Sequence, residues 1–187
     1  MRNIFKCVVV ILFTICISSC GSSGGNGLVE TVKVTATTKS SGSISTSLAV
    51  GTPGSFGSGT ISYEVSSTAY SFLSGVVPSP VMVTKATISY LPMPDSANNP
   101  SPALPSFEKA IGIIVNAGSK GGVDDMLITS STVVQYLYDN YVAIPSGSLN
   151  SGLQFRYVVS VVFSGYEINT GKSFTCDQVL SNMYVTK

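Results

Sequence analysis

Phe155-Arg156-Tyr157-Val158-Val159-Ser160-Val161-Val162-Phe163 is the stretch that decides the fold. Every second residue, Phe155, Tyr157, Val159, Val161 and Phe163, is apolar, and the intervening row of Arg156, Val158, Ser160 and Val162 is half apolar. Successive side chains of a strand point to opposite faces, so this segment has one fully buried face and one partly covered face. Such a strand belongs in the middle of a sheet. Its β-branched and aromatic residues fit a pleated surface better than a helix.

Working outward, period-two runs recur on both sides. Val32, Val34 and Ala36 alternate with Lys33 and Thr35; Ile44, Thr46, Leu48 and Val50 alternate with Ser45, Ser47 and Ala49; Ile61, Tyr63 and Val65 alternate with Ser62, Glu64 and Ser66. Further runs are Val81–Tyr90, Ala110–Asn116 and Met126–Thr129. After the central strand, Asn169-Thr170-Gly171 is a hairpin turn signal within Tyr166–Cys176, and it leaves a last strand at about Ser173–Tyr184. Ser131–Ile144 reads two ways. Val133, Leu137 and Tyr141 fall at helical spacing behind a capping Ser131 or Thr132, yet the stretch also alternates, and the strand reading is ahead.

Leu91–Pro105 carries five of the nine prolines. Proline has no amide proton for a ladder, so this segment is expected to be a long loop or polyproline II. It either crosses one sandwich or divides two halves, and halves that small would have thin cores. One domain is the expectation.

Composition narrows the function. Of 187 residues 10% are charged, against about 25% in ordinary soluble domains, and the formal net charge is +1. A nucleic-acid binder needs clustered Lys and Arg to displace counterions, so that partner class is excluded. The chain has no His, which removes His-based triads and His-bearing zinc sites. From Cys20 onward, 44 of 168 residues are Ser or Thr, so hydroxyls wet the surface.

The N-terminus stands apart. Arg2 and Lys6 form a basic head, and Cys7–Ile17 is an uncharged apolar run of 11 residues. A bilayer core takes about 20 residues to span, so this run has the proportions of a signal-peptide core. Ile17-Ser18-Ser19-Cys20 then resembles the lipobox of bacterial lipoproteins: an aliphatic residue, two small residues and the lipidated Cys. Ile stands where Leu is commoner and Ser where Gly or Ala is commoner. The resemblance covers only these first twenty residues. It implies lipid on the Cys20 sulfur, cleavage before Cys20, acylation (palmitate) of the new amino terminus and, with Gly21 next, sorting to the outer membrane on its periplasmic or cell-surface face. Two or three acyl chains hold firmly where one is marginal. Gly21–Gly27 (GSSGGNG) reads as a flexible tether. The expected layout is a signal peptide over 1–19, lipidated Cys and tether over 20–27, and a β domain over 28–187.

Cys7 and Cys16 would leave with the leader and Cys20 would be a thioether, so Cys176 is left unpaired. The expectation is a small buried hydrophobe on the strand face of Phe174. A second, weaker resemblance lies in Leu149–Val159. Leu149, Gly152 and Phe155 resemble the E–F corner of fibronectin type III domains, with Phe155 where Tyr is expected. The corner hydrogen bond would then need Tyr157 as a substitute. This resemblance implies an all-β, antiparallel immunoglobulin-like β-sandwich and carries no functional residues.

Chemistry is sparse. Asp124-Asp125 after Gly121-Gly122 could suggest a loop calcium site, but no Asp-x-Asp-x-Asp-Gly spacing exists, and a solvated turn is expected instead. The Gly-rich 51–59 stretch lacks the Gly-Lys-Ser/Thr of a phosphate loop. No catalytic residue, cofactor or metal site is expected. Tyr136, Tyr138 and Tyr141, with Asp139 and Asn140 near them, could form a binding platform for a sugar or peptide, or line the core. The reading is a lipid-anchored, non-enzymatic envelope protein acting as a binding or assembly accessory module, partnered with the membrane through Cys20 and with an envelope or surface protein. The alternative is an exported subunit or tether of a fibre, adhesin or electron-transfer assembly, joined by strand addition.

Overall fold

A computed structural model describes residues 30–39, 43–47, 59–71, 75–94, 101–142 and 154–186. Its strands are β1 (Val32–Thr38), β2 (Ser43–Ser47), β3 (Thr60–Ala69), β4 (Val81–Met93), β5 (Phe107–Val115), β6 (Lys120–Leu127), β7 (Gln154–Glu167), β8 (Ser173–Thr175) and β9 (Val179–Thr186). Among the described residues one helix, α1 (Ser131–Val142), lies between β6 and β7. The strands form two sheets, one ordered β1-β3-β6 and the other β2-β9-β7-β4-β5, with β8 also on β7. All pairings are antiparallel except β2 with β9. The fold is an all-β sandwich.

β7 is the central strand that its alternation requires, flanked by β4 and β9. Phe155, Tyr157, Val159, Val161 and Phe163 are all buried. Burying each such side chain contributes about 1.5–3 kcal/mol, which makes this row the backbone of the core. Ile61, Tyr63 and Val65 of β3 meet it from the other sheet. Tyr63 packs edge-on to Phe163 with ring centroids 5.4 Å apart. The Asn169-Thr170-Gly171 turn forms as its sequence suggests, with Gly171 at φ 69° donating its N–H to the Glu167 carbonyl at 2.7 Å.

Two bulges shift the alternation in ways simple period-two reading misses. In β4 the inward set passes from Val81 and Val83 to Ala86 and Ile88, because the register shifts between Val83 and Lys85. Gly165 of β7 faces this bulge, and a Cβ there would stand 1.9 Å from the Met82 carbonyl oxygen. In β6, Asp124 and Asp125 together oppose Ser62, so Val123 and Met126 both face inward. Asp125 has φ 46° and donates its N–H to the Ser62 hydroxyl at 3.0 Å.

Several expectations are corrected. Ser131–Val142 is a helix, not a strand, because Val133 and Leu137, four apart, bury one stripe while Ser131, Thr132 and Gln135 stay exposed. Gly121–Asp125 lies in β6 rather than in a turn. Leu91, Pro92 and Met93 extend β4 rather than opening the loop. Beyond Ile88, β5 no longer flanks β4, so a missing amide donor is tolerated there. Residues 101–105 are not in strands, and 95–100 lie outside the described residues. Ser173–Tyr184 is not one strand but β8 and β9, separated by Cys176-Asp177-Gln178.

Candidate functional site

The helix presents the first surface. The Ser130 hydroxyl accepts the Val133 N–H at 3.2 Å, a cap that starts α1 one residue before the expected Ser131. Val133 and Leu137 turn into the core. The opposite side, Ser131, Thr132, Gln135, Tyr136 and Asp139, lines an open groove of about 500 Å³. Gln135 Nε2 donates to Asp139 Oδ1 at 2.8 Å, one helical turn on. An exposed phenol beside an amide–carboxylate pair and two hydroxyls can hold a polar, hydroxylated ligand or a peptide.

Of the three tyrosines singled out in sequence, Tyr136 lies in this groove. Positions 138 and 141 are on α1 too, but helical spacing puts position 136 about 160° from 138 and about 140° from 141 around the axis. The helix therefore does not gather these three positions on one face. The side chains of Tyr138, Asn140 and Tyr141 lie outside the described residues, as do Cys20, Leu149 and Gly152. Ser131, Thr132 and Gln135 were missed, and the helical reading of the same stretch would have found them at i, i+1 and i+4.

A second, smaller groove of about 360 Å³ crosses the outer face of the large sheet. Ser89, Ser160 and Leu180 stand in register across β4, β7 and β9, with Leu91 and Val158 in the next row. The Ser160 hydroxyl donates to Gln178 Oε1 at 3.2 Å. Among the described residues the lining holds hydroxyl, amide and aliphatic groups together with Tyr90. Alternation gave no sign of it, because outward apolar residues break the inward–outward pattern only singly.

Burial favours the protonated form of the interior phenols and of the Cys176 thiol. Burial pushes the Tyr63 phenol up to about 12, only partly countered by the nearby Ser181 hydroxyl, and neither oxygen closes a hydrogen bond. Burial also raises Tyr90 and Tyr157. The Tyr90 hydroxyl donates to the Ile128 carbonyl and its ring packs edge-on to Tyr157 with centroids 6.3 Å apart. The Tyr157 hydroxyl has no hydrogen-bond partner among the described residues, and the corner itself, Leu149–Gly152, lies outside them. Cys176 is unpaired and buried beside Phe174, and burial followed by the Asp177 charge lifts its thiol to about 11. None of these groups is a base or nucleophile near neutral pH.

The carboxylates are dispersed. Asp124 is paired with Lys39, Glu108 with Lys85 at 2.7 Å and Glu64 with Lys120 at 2.7 Å. No cluster of three or more His, Cys, Asp or Glu able to hold a metal occurs among the described residues. The one buried carboxylate among the described residues, Glu167, accepts bonds from Thr31 N and Oγ1, Val32 N and Thr170 Oγ1 at 2.7–3.2 Å. That arrangement ties the first strand to the seventh, a role no sequence pattern announced. No known family's model matches the chain, and no curated protein is detectably similar to it.

Proposed function

We propose that the protein is a lipid-anchored, non-enzymatic lipoprotein of the bacterial outer membrane whose β-sandwich serves as a binding or assembly accessory module. One observation carries the reading: Ile17-Ser18-Ser19-Cys20 stands in register behind a basic head and an 11-residue apolar run. The chemistry of the two grooves supports it, since hydroxyl, amide, phenol and aliphatic groups, with one carboxylate held by the Gln135 amide, suit recognition of a polar ligand or peptide. The protonated interior phenols and thiol point the same way.

Replacing Cys20→Ser tests the anchor. The wild-type protein is expected in the membrane fraction with a mass bearing acyl chains, and the variant in the soluble fraction. Membrane retention of the variant, or an unmodified amino terminus on the native protein, refutes the anchor. Cross-linking on intact cells, read with and without Tyr136→Ala, tests the module; a neighbour captured equally by both removes the helix groove from the reading. A structural subunit joined by strand addition is the second reading. It is favoured by β5, a nine-residue proline-free strand at the edge of the large sheet.

A further inference from the structure

The described chain begins at one end of the sandwich, and that end carries a group of exposed apolar residues bordered by Glu30 and Lys172. Thr31 is packed against Glu167, its hydroxyl receives the Ser79 N–H at 2.9 Å and its carbonyl receives the Tyr70 N–H at 3.2 Å. The loop before β4 and the turn after β7 therefore surround the point where the chain enters. Val77 in that loop is 81% exposed, with Val76 exposed next to it, and Ile168 is exposed in the turn. Immediately beside them, Tyr166, Met82 and Ile114 stand in register across β7, β4 and β5 on the outward face. Five of the nine exposed large hydrophobics among the described residues thus fall at this end: Val76, Val77, Ile114, Tyr166 and Ile168.

The backbone here is prepared for loss of water. Pro78 and Pro80 have no N–H, and the Ser79 N–H is taken by Thr31. The Ser79 hydroxyl accepts the Asn169 N–H at 2.9 Å and donates to the Pro80 carbonyl, which also accepts the Ile168 N–H at 2.8 Å. Around Ser79, Pro80, Ile168 and Asn169, backbone groups that are already paired lose little on leaving water. Within 76–80, 82, 114 and 166–168 the only carboxylate or amine is Glu167, which is sealed by four donors.

We infer that this end of the sandwich docks on the lipid bilayer, with Val76, Val77 and Ile168 in the acyl–headgroup boundary and Tyr166 at headgroup level. The inference rests on the anchor at Cys20. The chain from Cys20 to Glu30 spans at most roughly 35 Å and about 17 Å as a coil, so the end it enters is the end brought to the membrane. Tyrosine suits that depth because its ring is apolar and its hydroxyl stays wet. Docking fixes the orientation of a domain that the lipid alone would leave free to swivel, and it turns the far end, where β1, β4 and β6 meet their opposite termini, away from the bilayer.

The test uses the full-length protein, exported and processed, purified and reconstituted into vesicles of phosphatidylethanolamine and phosphatidylglycerol. A bimane fluorophore is placed at Val77→Cys, at Ile168→Cys, or at Thr37→Cys near the other end of β1; buried Cys176 does not compete for the label. Lipids with a nitroxide near the headgroup are expected to quench the labels at 77 and 168 at least about twofold more than the label at 37. Vesicle flotation with equal quenching at all three positions overturns the docking and leaves the anchor standing. Failure to float refutes the anchor and the docking with it. Labels at 77 and 168 that are shielded from aqueous iodide yet unquenched by lipid assign the surface to a second copy of the chain and overturn the bilayer as its occupant.

Discussion

Thr31 gives both its backbone N–H and its hydroxyl to the Glu167 carboxylate, at 2.7 and 2.9 Å, across 136 positions of sequence. Val32 N–H and the Thr170 hydroxyl complete the set, so four donors converge on one buried side chain. A carboxylate offers acceptors to all four, whereas an amide offers one acceptor oxygen and turns a donor toward donors. Glu167→Gln is therefore expected to destabilise by about 2–4 kcal/mol although its volume is unchanged. Thr31→Val, which also leaves Ser79 N–H unpaired, is expected to cost about 1–3 kcal/mol. Urea midpoints measured by circular dichroism check both; a Glu167→Gln midpoint equal to wild type would mean the clasp adds nothing.

Gly165 and Gly112 form a contrasting pair. A methyl group at 165 meets the Met82 carbonyl oxygen at 1.9 Å, and that oxygen belongs to the backbone of the neighbouring strand at its bulge. It cannot swing aside as a side chain would. Gly165→Ala is expected to lose at least about 3 kcal/mol or fail to fold, while Gly112→Ala, with nothing within 4 Å, should lie within about 0.5 kcal/mol of wild type. Thermal melts of the two variants side by side decide it, and equal melting temperatures would refute the close approach.

Tyrosine hydroxyls in the core should divide by whether they are bonded. Tyr63 and Tyr157 bury oxygens with no partner, so Tyr63→Phe and Tyr157→Phe remove an unpaid desolvation and are expected to be neutral or stabilising by up to about 1 kcal/mol. Tyr90→Phe leaves the Ile128 carbonyl without its donor and should cost about 1–2 kcal/mol. Denaturant titration of the three variants supplies the ranking. A loss at Tyr63 as large as that at Tyr90 would show that its hydroxyl is bonded in solution.

The legibility of this fold followed its periodicity. β7 could be read at once because five alternate residues are apolar without interruption. The bulges in β4 and β6 could not, since an inserted residue shifts parity without a compositional mark; Asp125 at φ 46° is the local clue, and it looked like a turn. Helix α1 was ambiguous because Val and Tyr populate strands, and its capping serine is Ser130, just outside the segment as first bounded. Tyr136 was found as a site candidate from its aromatic neighbours, but its groove companions needed the helix to be known. Glu167 was invisible as a clasp because its partners are backbone and hydroxyl groups far away in sequence.

Cys176 provides a test in alkali. Its thiol is lifted from 9.0 to about 11 by burial first and by the Asp177 charge second. A raised pKa means that the folded state holds its proton longer than the unfolded chain does. Stability from this source is intact below about pH 9, and it is lost as pH rises toward 11, because only the unfolded thiol ionises in that interval. The urea midpoint of the wild type is expected to fall between those values, and that of Cys176→Ala to fall less, after allowance for the smaller side chain at pH 7. In the same window the native thiol should react with an aromatic disulfide reagent at least about tenfold more slowly than in urea, since the thiolate is the nucleophile. A native reaction as fast as the unfolded one, or parallel pH profiles for the two proteins, would show that residue 176 is open to water rather than packed behind Phe174.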